Sequence, residues 1–319
     1  MTLSQLSSFV AVARLGSVKA AARSLGVSEP AVSGAVRALR HELGDALYVR
    51  AGGAIELTPG GRRLASGASE ILGLAEQTRC AVREAAGATR TTVRVAATPP
   101  IAEFAAGPLL DAFSRRYQDI EVALQVAGRG ELAELLAVRA VDIALGPALE
   151  GGEDEPLIVS EAFLRYGLIV VAAPTHTLAG SKALAPAALV STPWLLGPLE
   201  SERSTDTGAF LARQSIAPRR TRAYPNFAAA LAQTASGRGV TLAIAHTVRD
   251  ELERGSLVEL DVRGTPISGL WYVSTLAPER RTASTDALRR FITMPEATRA
   301  MLARTGGVPA ERFVMGRWS

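Results

Sequence analysis

The sequence has one cysteine, Cys80, in 319 residues. A single thiol excludes an internal disulfide, a cysteine-rich zinc site and a two-cysteine redox switch. The three histidines, His41, His176 and His246, share no metal-ligand spacing. There is no Gly-x-Ser-x-Gly elbow and no phosphate-binding loop. These absences lead us to expect no metal, no cofactor, no catalytic residue and no enzyme. No apolar run approaches the roughly 20 residues of a membrane span. Met1 to Val12 lacks the basic start, apolar centre and small-residue cleavage site of a signal peptide, so a cytoplasmic protein without a membrane partner is expected. Lysine is also scarce: Lys19 and Lys182 are two of 35 basic residues.

The remaining composition is that of a globular chain, 48% hydrophobic and 21% charged, long enough for about two domains. The net charge of +4 is unevenly placed. Residues 1–90 carry 11 Lys+Arg against 7 Asp+Glu, and residues 91–319 carry 24 of each, so all the excess lies in the N-terminal segment. That segment is the part suited to nucleic-acid phosphates.

The N-terminal segment reads as helices. Leu3, Leu6, Phe9, Val10 and Ala13 form one apolar helical stripe that ends near Gly16. In Ala21 to Val36, Ala21, Ala22 and Leu25 have helical spacing and Gly26 supplies a turn. Val27 is expected to point inward, and Ser28 to cap a helix whose inner face is Ala31, Val32, Ala35 and Val36. A helix-turn-helix fits this pattern, and so does a core pair of helices. Helices over 18–25 and 29–43 are followed by Leu47–Arg50 and Ile55–Thr58 around Gly52-Gly53, a short hairpin. Three helices and a hairpin make a winged helix-turn-helix over 1–58.

Leu64, Ala68, Ile71, Ala75, Thr78, Val82 and Ala85 then alternate spacings of four and three, the signature of a helix-helix seam. A dimerising helix and its hinge are expected over 59–90, the helix ending at Gly87 to Arg90, and an amphipathic helix on the chain's own core is the alternative. From Val93 the pattern becomes strand and helix in turn: strands at 93–97, 120–126 and 141–145, helices at 101–117 and 131–138. Further strands are expected at 168–172, 194–196, 240–244 and 267–274, with helices at 227–236 and 284–291. Such alternation predicts an α/β domain with a parallel sheet. Gly237-Arg238-Gly239 follows a helix and leads into a strand, the reverse of a dinucleotide fingerprint.

The N-terminal motifs are Phe9-x-x-Val12-x-x-x-Gly16-Ser17, Ala21-Ala22-x-x-Leu25-x-Val27-Ser28-x-Pro30-Ala31-Val32-Ser33, Leu39-x-x-x-Leu43-Gly44-x-x-Leu47-Tyr48-x-Arg50 and Leu57-Thr58-Pro59-x-Gly61. Pro108-Leu109-Leu110, Val141-Asp142-Ile143-Ala144, Pro174-x-His176 and Gly237 to Leu242 continue the series. With these residues the chain resembles the LysR-type transcriptional regulators from about Leu3 to Phe291. The resemblance implies a winged helix-turn-helix, a dimerising linker helix and a two-lobed effector domain shaped like a periplasmic binding protein. The effector domain is placed at 91–293, with one lobe at 92–160 plus 266–293 and the other at 161–265, and a C-terminal extension at 294–319.

Docking of this kind puts Ser28, Glu29, Pro30, Ser33 and Arg37 at base edges, with Arg40 and Arg50 on phosphates. Glu29 and Gly34 depart from the family's pattern, and an acid at the reading end can accept from cytosine N4. For an effector, Thr98 is the first candidate, following a strand and preceding a helix, with a simple N-cap as its alternative role. Its hydroxyl, together with free helix N–H groups beside Pro99, would suit an anion. By similarity, Gly128, Arg129, Gly197, Pro198, Asn226 and Phe227 line the same cleft. The implied partners are double-stranded DNA with an interrupted palindrome, a small-molecule effector for which an anion is expected, a second copy in a homodimer, a homotetramer and RNA polymerase. A cytoplasmic solute-binding or sensor protein, using its helix-turn-helix as an interaction module, is the competing reading. The extension holds Ala297, Met301 and Leu302 at helical spacing, then Phe313 to Met315 and Trp318. It either docks on its own lobe or contacts another copy.

Overall fold

The computed structural model describes residues 1–51, 54–87, 90–149, 158–198 and 205–302. It begins with three helices, α1 (Leu3–Leu15), α2 (Val18–Leu25) and α3 (Glu29–Leu43), followed by a hairpin of β1 (Tyr48–Ala51) and β2 (Ala54–Leu57). Each helix starts on a hydroxyl that accepts a backbone N–H: Thr2 from Gln5, Ser17 from Ala20 and Ser28 from Ala31. Leu6, Phe9, Val12, Ala21, Ala22, Val32, Val36, Leu39 and Leu47 form one buried core. The hairpin pairs Tyr48 with Leu57, and its tip, Gly52-Gly53, lies outside the described residues.

Three expectations for this head need correction. Val27 is 47% exposed rather than inward. Gly26 is left-handed (φ 66°), and the N–H groups of Gly26 and Val27 return to the Arg23 and Ala22 carbonyls. This closing turn ties the Val27 backbone to Ala22 and leaves the Val27 side chain outside the core. Ala31 is exposed because the first turn of α3 projects beyond the core, and Leu3 is 41% exposed while Val12 is buried in its place.

A long helix, α4 (Pro59–Ala85), leaves the head. Leu64 and Ala68, expected in an intermolecular seam, pack into the chain's own winged-helix core, Ala68 being 1% exposed. Farther along, Ile71, Leu74 and Val82 are exposed. The inner turns of α4 therefore serve the head, and the apolar side left uncovered begins at Ile71.

The second domain contains β3 (Thr91–Ala97), α5 (Pro99–Phe104), α6 (Ala106–Arg116), β4 (Ile120–Val126), α7 (Leu132–Ala137), β5 (Ile143–Gly146) and β6 (Ile158–Ala172). There follow β7 (Trp194–Leu196), α8 (Asp206–Arg213), β8 (Thr221–Ala223), α9 (Phe227–Ala235), β9 (Thr241–Ile244), α10 (Arg249–Glu253), β10 (Val258–Leu260), β11 (Ile267–Leu276), α11 (Ala283–Ile292) and α12 (Pro295–Leu302). The main sheet runs β10-β6-β11-β5-β3-β4, with β9 also on β6. It is mixed, not parallel as expected. Within this sheet, among the described residues, only β3 with β4 and β3 with β5 are parallel, while β6, β9, β10 and β11 pair antiparallel. The long strands account for this. The start of β6 pairs with β11 beside β5, and its end carries β9 and β10, so β6 and β11 join two lobes of an α/β effector domain.

The helix expected over 101–117 is two helices, broken at Ala105, where φ is −117°. The described start of the C-terminal extension docks on its own lobe. Ala297 and Met301 are buried in the main core, and Arg116 pairs with Glu296 at 3.2 Å. Phe313 to Met315 and Trp318 lie outside the described residues.

Candidate DNA-reading head and effector cleft

At the head, Ser28, Glu29, Pro30 and Arg37 are exposed on the projecting side of α3, with Ser33 half-buried beside them. Ser33, Val36, Arg37, Arg40, Tyr48 and Arg50 line an open groove between α3 and the wing. Arg40, expected on a phosphate, lines this groove and is also tied to the wing. Its guanidinium stacks 4.2 Å from the Tyr48 ring centre and donates to the Tyr48 carbonyl at 3.1 Å, holding the wing against α3. Arg37 and Arg50 keep their side chains exposed. The turn into the wing is fixed by Asp45, which accepts from the Thr58 hydroxyl at 2.7 Å and the Leu47 N–H at 2.6 Å. Those two bonds, Thr58 first, hold the Asp45 carboxyl below its usual range.

Between the lobes lies a cavity of about 100 Å³. Thr98, Pro99, Gly128, Arg129, Pro198 and Phe227 line it. Gly197 and Asn226 do not. Asn226 instead caps α9 by accepting from the Ala229 N–H at 2.8 Å. Thr98 stands at the N-cap position of α5 without a side-chain cap bond, and it is 9% exposed. The capping alternative thus has no hydrogen bond behind it.

The remaining wall was not legible as a site in the sequence. Tyr166 and Leu168 come from β6, Trp271 from β11, Leu242 and Ile244 from β9, and Asp206 and Thr207 from the first turn of α8. Tyr166 donates to Asp206 at 2.6 Å and lies 5.0 Å from the Trp271 ring. Burial first, then the Asp206 charge, pushes the Tyr166 phenol far above its usual range, so it stays a donor. Phe104 meets Phe227 edge to face at 5.4 Å across the mouth. The apolar pattern marks a strand only from Leu168, while the strand itself begins at Ile158 and contains Tyr166; Thr205-Asp206-Thr207 carries a helix-start signal for α8.

A winged helix-turn-helix joined by a long helix to a two-lobed, cleft-bearing α/β domain defines a ligand-responsive DNA-binding regulator. Residues 3–62 match the bacterial regulatory helix-turn-helix family of LysR type, and residues 86–294 match the LysR substrate binding domain. The chain belongs to the LysR family of transcriptional regulators. An uncharacterized HTH-type transcriptional regulator of Mycobacterium tuberculosis is 42% identical, covering 98% of this chain and 97% of the relative. A RuBisCO operon transcriptional regulator of Allochromatium vinosum is 31% identical over 94% and 97%. The full-length CbnR structure, complexed with its target DNA, shares the fold at a TM-score of 0.61, with 23% identity over 92% of this chain and 99% of that one. The protein is a DNA-binding transcriptional regulator with an effector-binding domain, and not an enzyme. The regulator reading fits these findings better than the solute-binding alternative. Among the described residues no helix is long and apolar enough to cross a membrane.

Proposed function

We propose that the chain reads its operator with the exposed side of α3, using Ser28, Glu29, Pro30, Ser33 and Arg37 on base edges and Arg50 on a phosphate. Two copies pair through the exposed stretch of α4 from Ile71 to Val82, and two such dimers form a tetramer on an interrupted palindrome. An effector in the cleft lined by Thr98, Arg129, Pro198 and Phe227 biases the angle between the lobes, which resets the spacing of the paired heads and their contact with RNA polymerase. One observation carries the effector reading: the cleft wall is built from β6 and β11, the strands that run from one lobe into the other, so filling it acts on their joint.

A mobility-shift titration of the full-length protein with upstream DNA tests the reading of the head. Specific binding with steep salt dependence is expected, and Ser33→Ala should weaken operator binding more than binding to random DNA. Equal losses on both DNAs would remove Ser33 from the reading surface.

A further inference from the structure

The cleft differs from an anion site in a consistent way. Helix N-termini attract anions through their free N–H groups, and four helical starts surround this cleft. At α5 the first two positions are Pro99 and Pro100, which have no N–H to offer. At α9 the Glu103 carboxylate reaches across from the other lobe and accepts from Phe227 at 3.1 Å and Ala228 at 2.7 Å. The Gly128 N–H, before the turn into α7, donates to Glu131 at 2.7 Å. At α8 the Thr205 hydroxyl accepts from Gly208 at 3.2 Å, and Asp206 puts a negative charge in the first turn. Arg129 lines the cleft but already has an interaction of its own.

What the cleft offers instead is ring-sized apolar space with acceptors. Tyr166, Trp271, Phe104 and Phe227 supply aromatic walls, and Leu242 and Ile244 aliphatic ones. Asp206 takes one proton donor, Tyr166, on one carboxylate oxygen. Among the described residues the Thr207 hydroxyl, on a residue only 1% exposed, has no partner. A buried hydroxyl left unpaired is costly, and a bound polar group would satisfy it.

We infer that the effector is a small, phosphate-free compound with an apolar, ring-sized body and a hydrogen-bond-donating head, a hydroxyl or an amine, held by Asp206 and Thr207. This rests on the cleft being the effector site, and it replaces the anionic effector expected from the sequence.

The test uses four probes that share one ring and differ in the head: benzyl alcohol, benzylamine, benzoate and phenyl phosphate. Each is titrated calorimetrically into the full-length protein and into three variants, Thr207→Val, Asp206→Asn and Thr98→Val. The alcohol or the amine should bind at least about tenfold more tightly than either anion, and Asp206→Asn should erase most of that gap. Thr207→Val should weaken the donor probe while leaving the melting temperature of the free protein unchanged or raised, since its hydroxyl has no bond to lose. Which donor probe wins separates a hydroxyl from an amine. Tighter binding of phenyl phosphate or benzoate, sensitive to Thr98→Val, would overturn the ligand class and leave the cleft reading standing. Donor binding indifferent to all three variants would overturn the cleft reading itself. Failure of both donor probes to bind at tens of millimolar would overturn the class.

Discussion

Gly73 of α4 lies so close to Arg139 of the effector domain that a β-carbon added to it would stand 2.4 Å from the Arg139 Cβ and 2.6 Å from the Val138 carbonyl oxygen. One turn farther along α4, Gln77 accepts from the Arg139 guanidinium and donates to the Arg280 carbonyl. The linker helix is thus seated on the lobe of its own chain, at a spot where Arg139 is 6% exposed and held in a left-handed backbone conformation (φ 55°). A helix seated this way can pass a change in the lobe to the DNA-binding head.

Gly73→Ala should therefore unseat α4, because the obstructing atoms belong to backbone and Cβ and cannot swing aside. A stability loss of about 1–3 kcal/mol is expected from the overpacking, together with a weakened coupling between effector and operator. Gly67→Ala is the matched control, since nothing lies within 4 Å of a β-carbon there. On helix propensity alone it should stabilise by up to about 1 kcal/mol. Denaturant titrations of both variants check the pair. Equal behaviour at the two positions would mean that the seat does not hold in solution.

Thr98→Val separates the two roles open to that residue. The Thr98 N–H bond to the Leu145 carbonyl, 3.0 Å, is kept, and no cap bond exists to be lost. Stability should stay within about 0.5 kcal/mol, while the effector-dependent shift in operator affinity weakens, because Thr98 lines the cleft. A stability loss above about 1 kcal/mol with an intact response would assign Thr98 to the helix start instead.

Legibility in the sequence followed how local each cause was. The head was readable because its signals act within a few residues: Ser17 and Ser28 each cap the third N–H beyond them, and Gly26 closes its own turn. The exposure of Val27 is not legible because it is set by how the turn closes on the Ala22 carbonyl, not by the spacing of Val27 itself. Strand order in the effector domain is non-local. Nothing near Val93 says that β11, some 170 residues later, will run antiparallel beside β5. Most of the cleft wall is hidden from the sequence for the same reason. Tyr166 and Asp206 become one unit only when β6 and α8 meet, and neither residue is remarkable in its own stretch.

Arg37 and Arg40, one turn apart on α3, should behave differently. Arg37 is exposed and bonded to nothing described in its own fold, so Arg37→Ala should leave stability within about 0.5 kcal/mol. It should cost about 1–3 kcal/mol on operator DNA and less on random DNA. Arg40→Ala removes the stack on Tyr48 and the bond to its carbonyl, so about 1 kcal/mol of stability should go. Its DNA binding should weaken alike on both sequences, because the wing loosens. Thermal melts beside binding titrations read both effects. A base-specific loss for Arg40→Ala with unchanged melting would reverse the roles.

Two histidines give the fold a pH dependence whose sign can be worked out. His176 accepts the Leu178 N–H at its Nδ1, 3.2 Å away, which requires that nitrogen to be unprotonated. His246 lies 6.3 Å from the Trp271 ring. Burial lowers both pKa values from the ordinary 6.5, helped at His246 by the Arg249 charge. The unfolded chain therefore binds protons first as pH falls below 6.5, so stability is fully present above that pH and declines below it toward the folded values. The carboxylates held low, Asp45 and Asp286, start from 3.8 and act in a more acidic window. Denaturation midpoints taken between about pH 7.5 and 5.5 should fall on acidification. The slope should shrink in His176→Gln and again in the double variant with His246→Gln. If the double variant keeps the full slope, the histidines are not its source.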